Sequence, residues 1–414
     1  MRITAEDFRQ RLVPIVAAQG FGFACGFAGV WLVSKWVEPA DYGAYGVFAT
    51  LATVGASVVY AGLLKFLNRH WHLAPDRGAL LRETLTAMGR KTPWLLAVCT
   101  AATILARPEQ TWIYGAFLFA TAIFVSLAQL AQSALQAAQE HWRDLGVSVG
   151  ISLTRSFAPP LFYVGTGAGV VALFAGFLLQ ALVGTLLGAV QLARWQQPKH
   201  LGAGTATLTP VYEGPRFVAL AAAGWILAGV NRWIVAAFFG AEPAGYYTLA
   251  ANLGGILPFM AGMVFLQFMQ PQWFAAECES MVHRENLLRD VDRVAFAYTV
   301  LALALAAIVH LAMPLLTGPV IDIRYRNAEE FVFVAGCSTT AVTTGLYFHA
   351  MLMAAKRERS CFTADLSGAG CLITGGILSA AAGLTWFKLW LAVSPLVPWL
   401  VNRTVARRAV YQQT

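Results

Sequence analysis

Runs of about 20 apolar residues, each closed by a short polar or charged stretch, recur along the whole chain. The hydrocarbon core of a bilayer is about 30 Å thick and a helix rises about 1.5 Å per residue, so runs of this length predict membrane-spanning helices. The pattern predicts spans over 12–33, 44–64, 92–106, 111–136, 145–164 and 170–192. A second set follows over 217–240, 244–269, 294–316, 331–353, 362–384 and 389–401, the third and twelfth spans being the shortest. A polar stretch with Gly, Thr and Pro, 194–216, separates the sets. The expected fold is all-α: a polytopic membrane bundle of about twelve helices, arranged as a six-helix half 1–193, a linker 194–216 and a six-helix half 217–414. A basic segment, 65–92, follows the second span, and within it 70–91 carries Arg77, Arg82, Arg90 and Lys91 amid Leu80, Leu81 and Leu85. That stretch reads as an interfacial anchor or as a lipid-docking surface.

Composition supports the lipid reading. The 414 residues are 58% hydrophobic and 12% charged, with mean hydropathy +0.61, whereas soluble domains carry about 25% charge. The six cysteines are scattered, show no CxxC or metal-ligand spacing, and read as small core hydrophobes. The opening MRITAEDFRQR holds two acids and no cleavage-site pattern, so the first span is expected to be retained.

Charge sets the expected orientation. Of the 29 Lys and Arg, 22 fall in segments on the side of the N-terminus and five on the other side, with Arg155 and Arg232 inside spans. The positive-inside rule then places both termini in the cytoplasm, as expected for a multi-pass protein of the bacterial inner membrane. The same distribution accounts for the net charge of +8 without nucleic acid as a partner, because the basic residues sit in short loops at one face.

The two halves repeat each other. EPADYGAYGVFATLATVG (38–55) follows the first span and EPAGYYTLAANLGG (242–255) follows the seventh. Aligning Gly43 with Gly245 sets Tyr45 against Tyr247 at an offset of 202, while the Glu-Pro pairs then need a two-residue gap. Internal repeats of this length are a transporter architecture, with the substrate site between the halves.

WVEPADYGAYGVF resembles the opening of bacterial polysaccharide flippases of the Wzx type, in the multidrug/oligosaccharidyl-lipid/polysaccharide superfamily. NRWIVAAFFGAEPAGYYTLA (231–250) resembles the start of that family's second half, and KFLNRHWHLAPDRGALLRETL its basic segment after the second span. Asn231 stands where that family often has Asp. The resemblance implies a flippase that moves undecaprenyl-pyrophosphate-linked oligosaccharide to the outer leaflet for surface polysaccharide synthesis, without a cofactor. Its implied partners are that lipid-linked substrate, membrane lipids and the polysaccharide polymerase machinery.

Candidate transport residues come from polar groups inside spans. An intramembrane Arg costs about 2.5–3.5 kcal/mol on insertion scales, so it faces a cavity or a partner. Arg232 lies eight residues before Gly240, about 12 Å from that helix end; Arg155 lies mid-span. A guanidinium matches phosphate as a planar bidentate donor, so both are candidates for a cationic lumen. The competing readings are snorkelling and bonding to helix-end carbonyls, which Pro159 and Pro160 would free by kinking or breaking the fifth span near Arg155. Polar stripes at helical spacing add Gln129, Gln132, Gln136 and Gln139 in the fourth span, Thr340, Thr343, Thr344 and Tyr347 in the tenth, and Thr50, Thr53, Ser57 and Tyr60 in the second. These line a hydrophilic path or bond helices together. Gln19, Asn231 and Asn252 join the candidates, Pro258 is a hinge or a static kink, and His310 and His349 read as isolated structural residues.

Two other classes stay open. A cation antiporter of the same superfamily wants a carboxylate within the membrane, and Asp365, in the first turn of the eleventh span, comes nearest. A membrane enzyme of polysaccharide assembly wants positioned acids on an outer loop, and the longest offers only Asp322, Glu329 and Glu330. No P-loop is present, so drive by ATP is not expected.

Overall fold

The computed structural model describes residues 13–71, 74, 76–106, 111–195, 229–275, 281–355 and 357–411. These are almost entirely helical: α1 (Val13–Trp36), α2 (Pro39–His70), α3 (Arg77–Ala106), α4 (Thr111–Ala137), α5 (His141–Thr166) and α6 (Val170–Arg194) come first. Residues 229–239 form α7. Then follow α8 (Ala241–Gly254), α9 (Ile256–Ala275), α10 (Met281–Leu316), a 3₁₀ helix (Ile323–Ala328), α11 (Glu329–Ala354), α12 (Glu358–Ala382), α13 (Leu384–Val393), a π turn (Pro398–Asn402) and α14 (Arg403–Tyr411). Among the described residues seven helices are long and apolar enough to cross a membrane, or nine if each of two bent pairs is one span.

Every expected span with described residues is helical, and the departures have local causes. The eighth span is two helices, α8 and α9, bent by 46° at Gly254–Gly255. Pro258, in the first turn of α9, lacks the N–H that would bond the Gly254 carbonyl four residues back, so the bend falls where a proline kink is expected. The bend falls where a Cβ on Gly254 would lie 2.1 Å from the Val332 carbonyl oxygen of α11, so only a bare backbone passes there. The twelfth span is also bent, by 45°; Pro395 disfavours helix at Ser394 and ends α13. The segment 70–91 is divided between two helices, since α2 runs on to His70 and α3 starts at Arg77. The fifth span does not break: α5 continues through Pro159 and Pro160 to Thr166. Those prolines still leave the carbonyls of Arg155 and Ser156 without their intrahelical donors.

The described residues form two compact units, one drawn from 13–25 and 48–195, the other from 26–47 and 229–411. In the first, α4, α5 and α6 pack on one another. Its core includes Phe48 stacked on Phe174 at 4.0 Å, with Tyr114 edge-on to both rings. Gly176 of α6 lets the Pro159 backbone approach so closely that a Cβ would lie 2.4 Å from Pro159 Cα.

In the second unit α11 is the central helix, packed against α8, α9, α10, α12 and α13. Its stretch from Ala335 to Gly345, all Ser, Thr, Ala and Gly apart from Cys337 and Val342, suits that position, since small residues let helices close in a medium where lipid competes for apolar contact. The start of α2 meets the start of α8 here. A Cβ on Gly43 would lie 2.0 Å from the Ala241 carbonyl oxygen, and one on Gly245 would lie 1.8 Å from that of Pro39. Pro39 and Ala241 are the first residues of their helices and differ by the same 202 as the glycines. The repeat alignment on glycine therefore holds in space as a reciprocal contact. The Glu-Pro pairs are not equivalent: Glu38 precedes α2, whereas Glu242 lies inside the first turn of α8. Nearby, Arg324 of the 3₁₀ helix bonds Glu38 at 2.6 Å and the Lys35 carbonyl at 2.8 Å.

Candidate polar sites within the helical units

Asn231 and Arg232 lie side by side in α7 and are half-buried. Asn231 Nδ2 donates to Ser338 Oγ of α11 at 2.6 Å. The Tyr247 hydroxyl of α8 adjoins Asn231 and Ser338 and lies within the field of Arg232. Three helices of the second unit thus deliver an amide, two hydroxyls and a guanidinium to one locus. The crevice beside it is lined by Asn231, Ser338, Val342, Trp390 and Ser394 among others. Its free volume of about 10 Å³ has room for about one water.

The Thr stripe of the tenth span lies deeper. Thr340, Thr343 and Tyr347 are fully buried. Thr340 Oγ1 donates back to the Gly336 carbonyl at 2.8 Å and Tyr347 Oη donates to the Gly262 carbonyl of α9 at 3.0 Å. The Tyr298 hydroxyl of α10 adjoins Thr340 and Thr343 and donates to the Pro258 carbonyl at 3.1 Å. Thr344 bonds Thr299 at 3.1 Å. These groups tie α9, α10 and α11 together, and they would meet a substrate only if those helices part. Asn252 donates to the Tyr42 hydroxyl at 2.7 Å.

In the first unit the Gln stripe is half-buried to exposed. Gln132 donates to Ser148 at 3.1 Å and Gln136 to Asp144 at 2.9 Å, both on α5. Gln139 leaves the stripe: α4 ends at Ala137, and Gln139 turns the chain with φ 60°, the one positive φ outside glycine among the described residues. Asp144, in the first turn of α5, is the residue that sequence reasoning passed over. The signal was present, since an acid in that turn faces a Gln stripe ending on the preceding helix. Burial pushes its carboxyl up to about 6, against the bonds from Gln136 and Gln132, which favour the charged form. Arg155 projects from α5 as an exposed side chain, and Gln19 on α1 is half-exposed. Gln129, half-buried, completes the face.

No protein-family model and no curated protein sequence matches the chain. Solved structures do. An inward-facing multidrug resistance MATE family transporter of the MOP superfamily is 12% identical, with TM-score 0.64 over 96% of each chain. An outward-facing one is 15% identical, with TM-score 0.62 over 97% of this chain and 95% of that one. A Vibrio cholerae MATE transporter is 13% identical, with TM-score 0.61 over 98% of both. The chain has the fold of these transporters, twelve helices in two halves, and is a multi-pass membrane protein.

Proposed function

We propose that the chain is a flippase for an anionic lipid-linked oligosaccharide of the undecaprenyl-pyrophosphate type, resident in the bacterial inner membrane with both termini in the cytoplasm. The observation that carries this reading is Arg232, a cation inside a predicted span, set among the donors Asn231, Ser338 and Tyr247. A pyrophosphate complements that set, and Arg155, exposed on α5, offers a second cation of the same kind. The Gln face of α4 offers amides to sugar hydroxyls, and the polymerase machinery would take the translocated product.

A second reading rests on a separate observation. Two solved structures with this fold are multidrug resistance transporters, and burial raises the Asp144 carboxyl to about 6. Proton-coupled export of cationic drugs would use such a group.

One experiment separates them. In a strain lacking the protein, flippase loss leaves lipid-linked oligosaccharide on the cytoplasmic leaflet, reversed by the wild-type gene; antiporter loss leaves it unchanged and raises drug sensitivity. Accumulation on the outer leaflet would point to a polymerase or ligase. Arg232→Ala is expected to reach the membrane at wild-type levels and to restore less than a tenth of the flux, with Arg232→Lys recovering part, because a point charge lacks the bidentate fork. Full complementation by Arg232→Ala would remove that residue from the site.

A further inference from the structure

His349 stands alone along the chain but not in the fold. It lies on α11, five residues before that helix ends at Ala354, and faces Cys361 and Asp365 on α12. Those two are four residues apart and share one helical face. Because α12 begins at Glu358, Asp365 lies two turns into the helix, deeper than the first-turn position expected from sequence. His349 Nδ1 is 2.6 Å from Asp365 Oδ2 and 3.4 Å from Cys361 Sγ. All three donor atoms fall within 4.8 Å of one another. The His and Asp side chains are 15% and 14% exposed, and Cys361 is fully buried.

We propose that His349, Cys361 and Asp365 form a binding site for a divalent transition-metal cation of the zinc class, which ties α11 to α12. The site goes beyond the transport reading and does not depend on it. Imidazole, thiolate and carboxylate are the three ligand types that zinc takes, and a set of three leaves the fourth tetrahedral position for water or another ligand. The sulfur selects against calcium, magnesium and sodium, which prefer oxygen. Two ligands at i and i+4 with a third from a neighbouring helix is a spacing that holds such ions. Distance fits as well. Tetrahedral zinc bonds of about 2.0–2.3 Å separate nitrogen from sulfur by about 3.6 Å and nitrogen from oxygen by about 3.4 Å. The sulfur is already there. The carboxylate must withdraw by about 0.8 Å as the proton between it and Nδ1 gives way to metal, with the ring proton then on Nε2. The simpler alternative is a His–Asp hydrogen bond with the thiol as a bystander, Sγ lying 3.8 Å from the His349 carbonyl. Spacing along the chain does not reveal the cluster, because its first ligand comes from another helix.

Cobalt(II) is the probe, because a thiolate ligand gives it a charge-transfer absorption that nitrogen and oxygen ligands do not. The purified full chain in detergent is titrated with Co²⁺. The expected result is that band, saturating at one equivalent and lost on adding Zn²⁺. Cys361→Ser, eluting as wild type on size exclusion, should abolish it. His349→Gln and Asp365→Asn should weaken cobalt binding tenfold or more. A wild-type chain with no thiolate band overturns the proposal, as does an unchanged band in Cys361→Ser. If that variant does not fold, a chain keeping Cys361 as its only thiol decides: retention of the band supports the site, loss overturns it. Flux plays no part in the readout, so failure here leaves the flippase reading standing, and the reverse.

Discussion

Asp144 shows how one side chain can report on its whole neighbourhood. In the unfolded chain an Asp titrates near 4; in the first unit burial holds it near 6. Its folded pKa is raised, so its contribution to stability is fully present below about pH 4 and is lost as pH rises through about 6. Asp144→Asn removes that loss. It should raise the unfolding free energy in detergent at pH 7.5 by more than at pH 4.5, with a difference of about 1–3 kcal/mol at most, seen as a larger Tm increase at the higher pH; equal shifts at both pH values would show that desolvation does not govern the group. The Gln stripe was legible from periodicity alone, because helical spacing puts Gln132 and Gln136 on one face. Its acceptors were not, since Asp144 and Ser148 belong to the next helix and meet the stripe only through the turn at Gln139. Ser338 was hidden for the same reason, lying 107 residues from Asn231.

The elements were the most legible level, since a span is a local property of about 20 residues. What sequence could not place were the breaks, which depend on a neighbour. Position 254 takes glycine because α11 passes within reach of its backbone, a fact held in another part of the chain. The long α10 makes the complementary point. Its first turns extend past the expected 294–316 span and present Asp292, which Arg403 grips with Nε at 2.8 Å and Nη2 at 2.7 Å. This half-buried, two-pronged pair fastens α14 to the start of α10. Asp292→Ala should destabilise the second unit by about 1–2 kcal/mol, because the half-buried Arg403 loses its two-pronged acceptor, and should speed proteolysis at the Arg403–Tyr411 helix. Cleavage at an unchanged rate would show that apolar contacts alone hold α14.

At the scale of the molecule, the chain's two-part character was readable in a few residues: Gly43 and Tyr45 against Gly245 and Tyr247. The structure explains why glycine recurs there. Each glycine receives the first carbonyl of the other's helix, and a methyl group has nowhere to go. Gly245→Ala is therefore expected to cost about 1–3 kcal/mol or more by overpacking, measured as lower thermal stability and reduced yield of folded protein; wild-type stability would mean that α2 and α8 separate freely. The next pair along the repeat is uneven. Gly46 stands opposite Thr248, again 202 apart, and a Cβ on Gly46 would lie 2.4 Å from the threonine hydroxyl. The pairing is one of compensating bulk: the side chain that α8 carries at Thr248 fits because α2 carries none at Gly46, so enlarging position 46 would require position 248 to shrink in step.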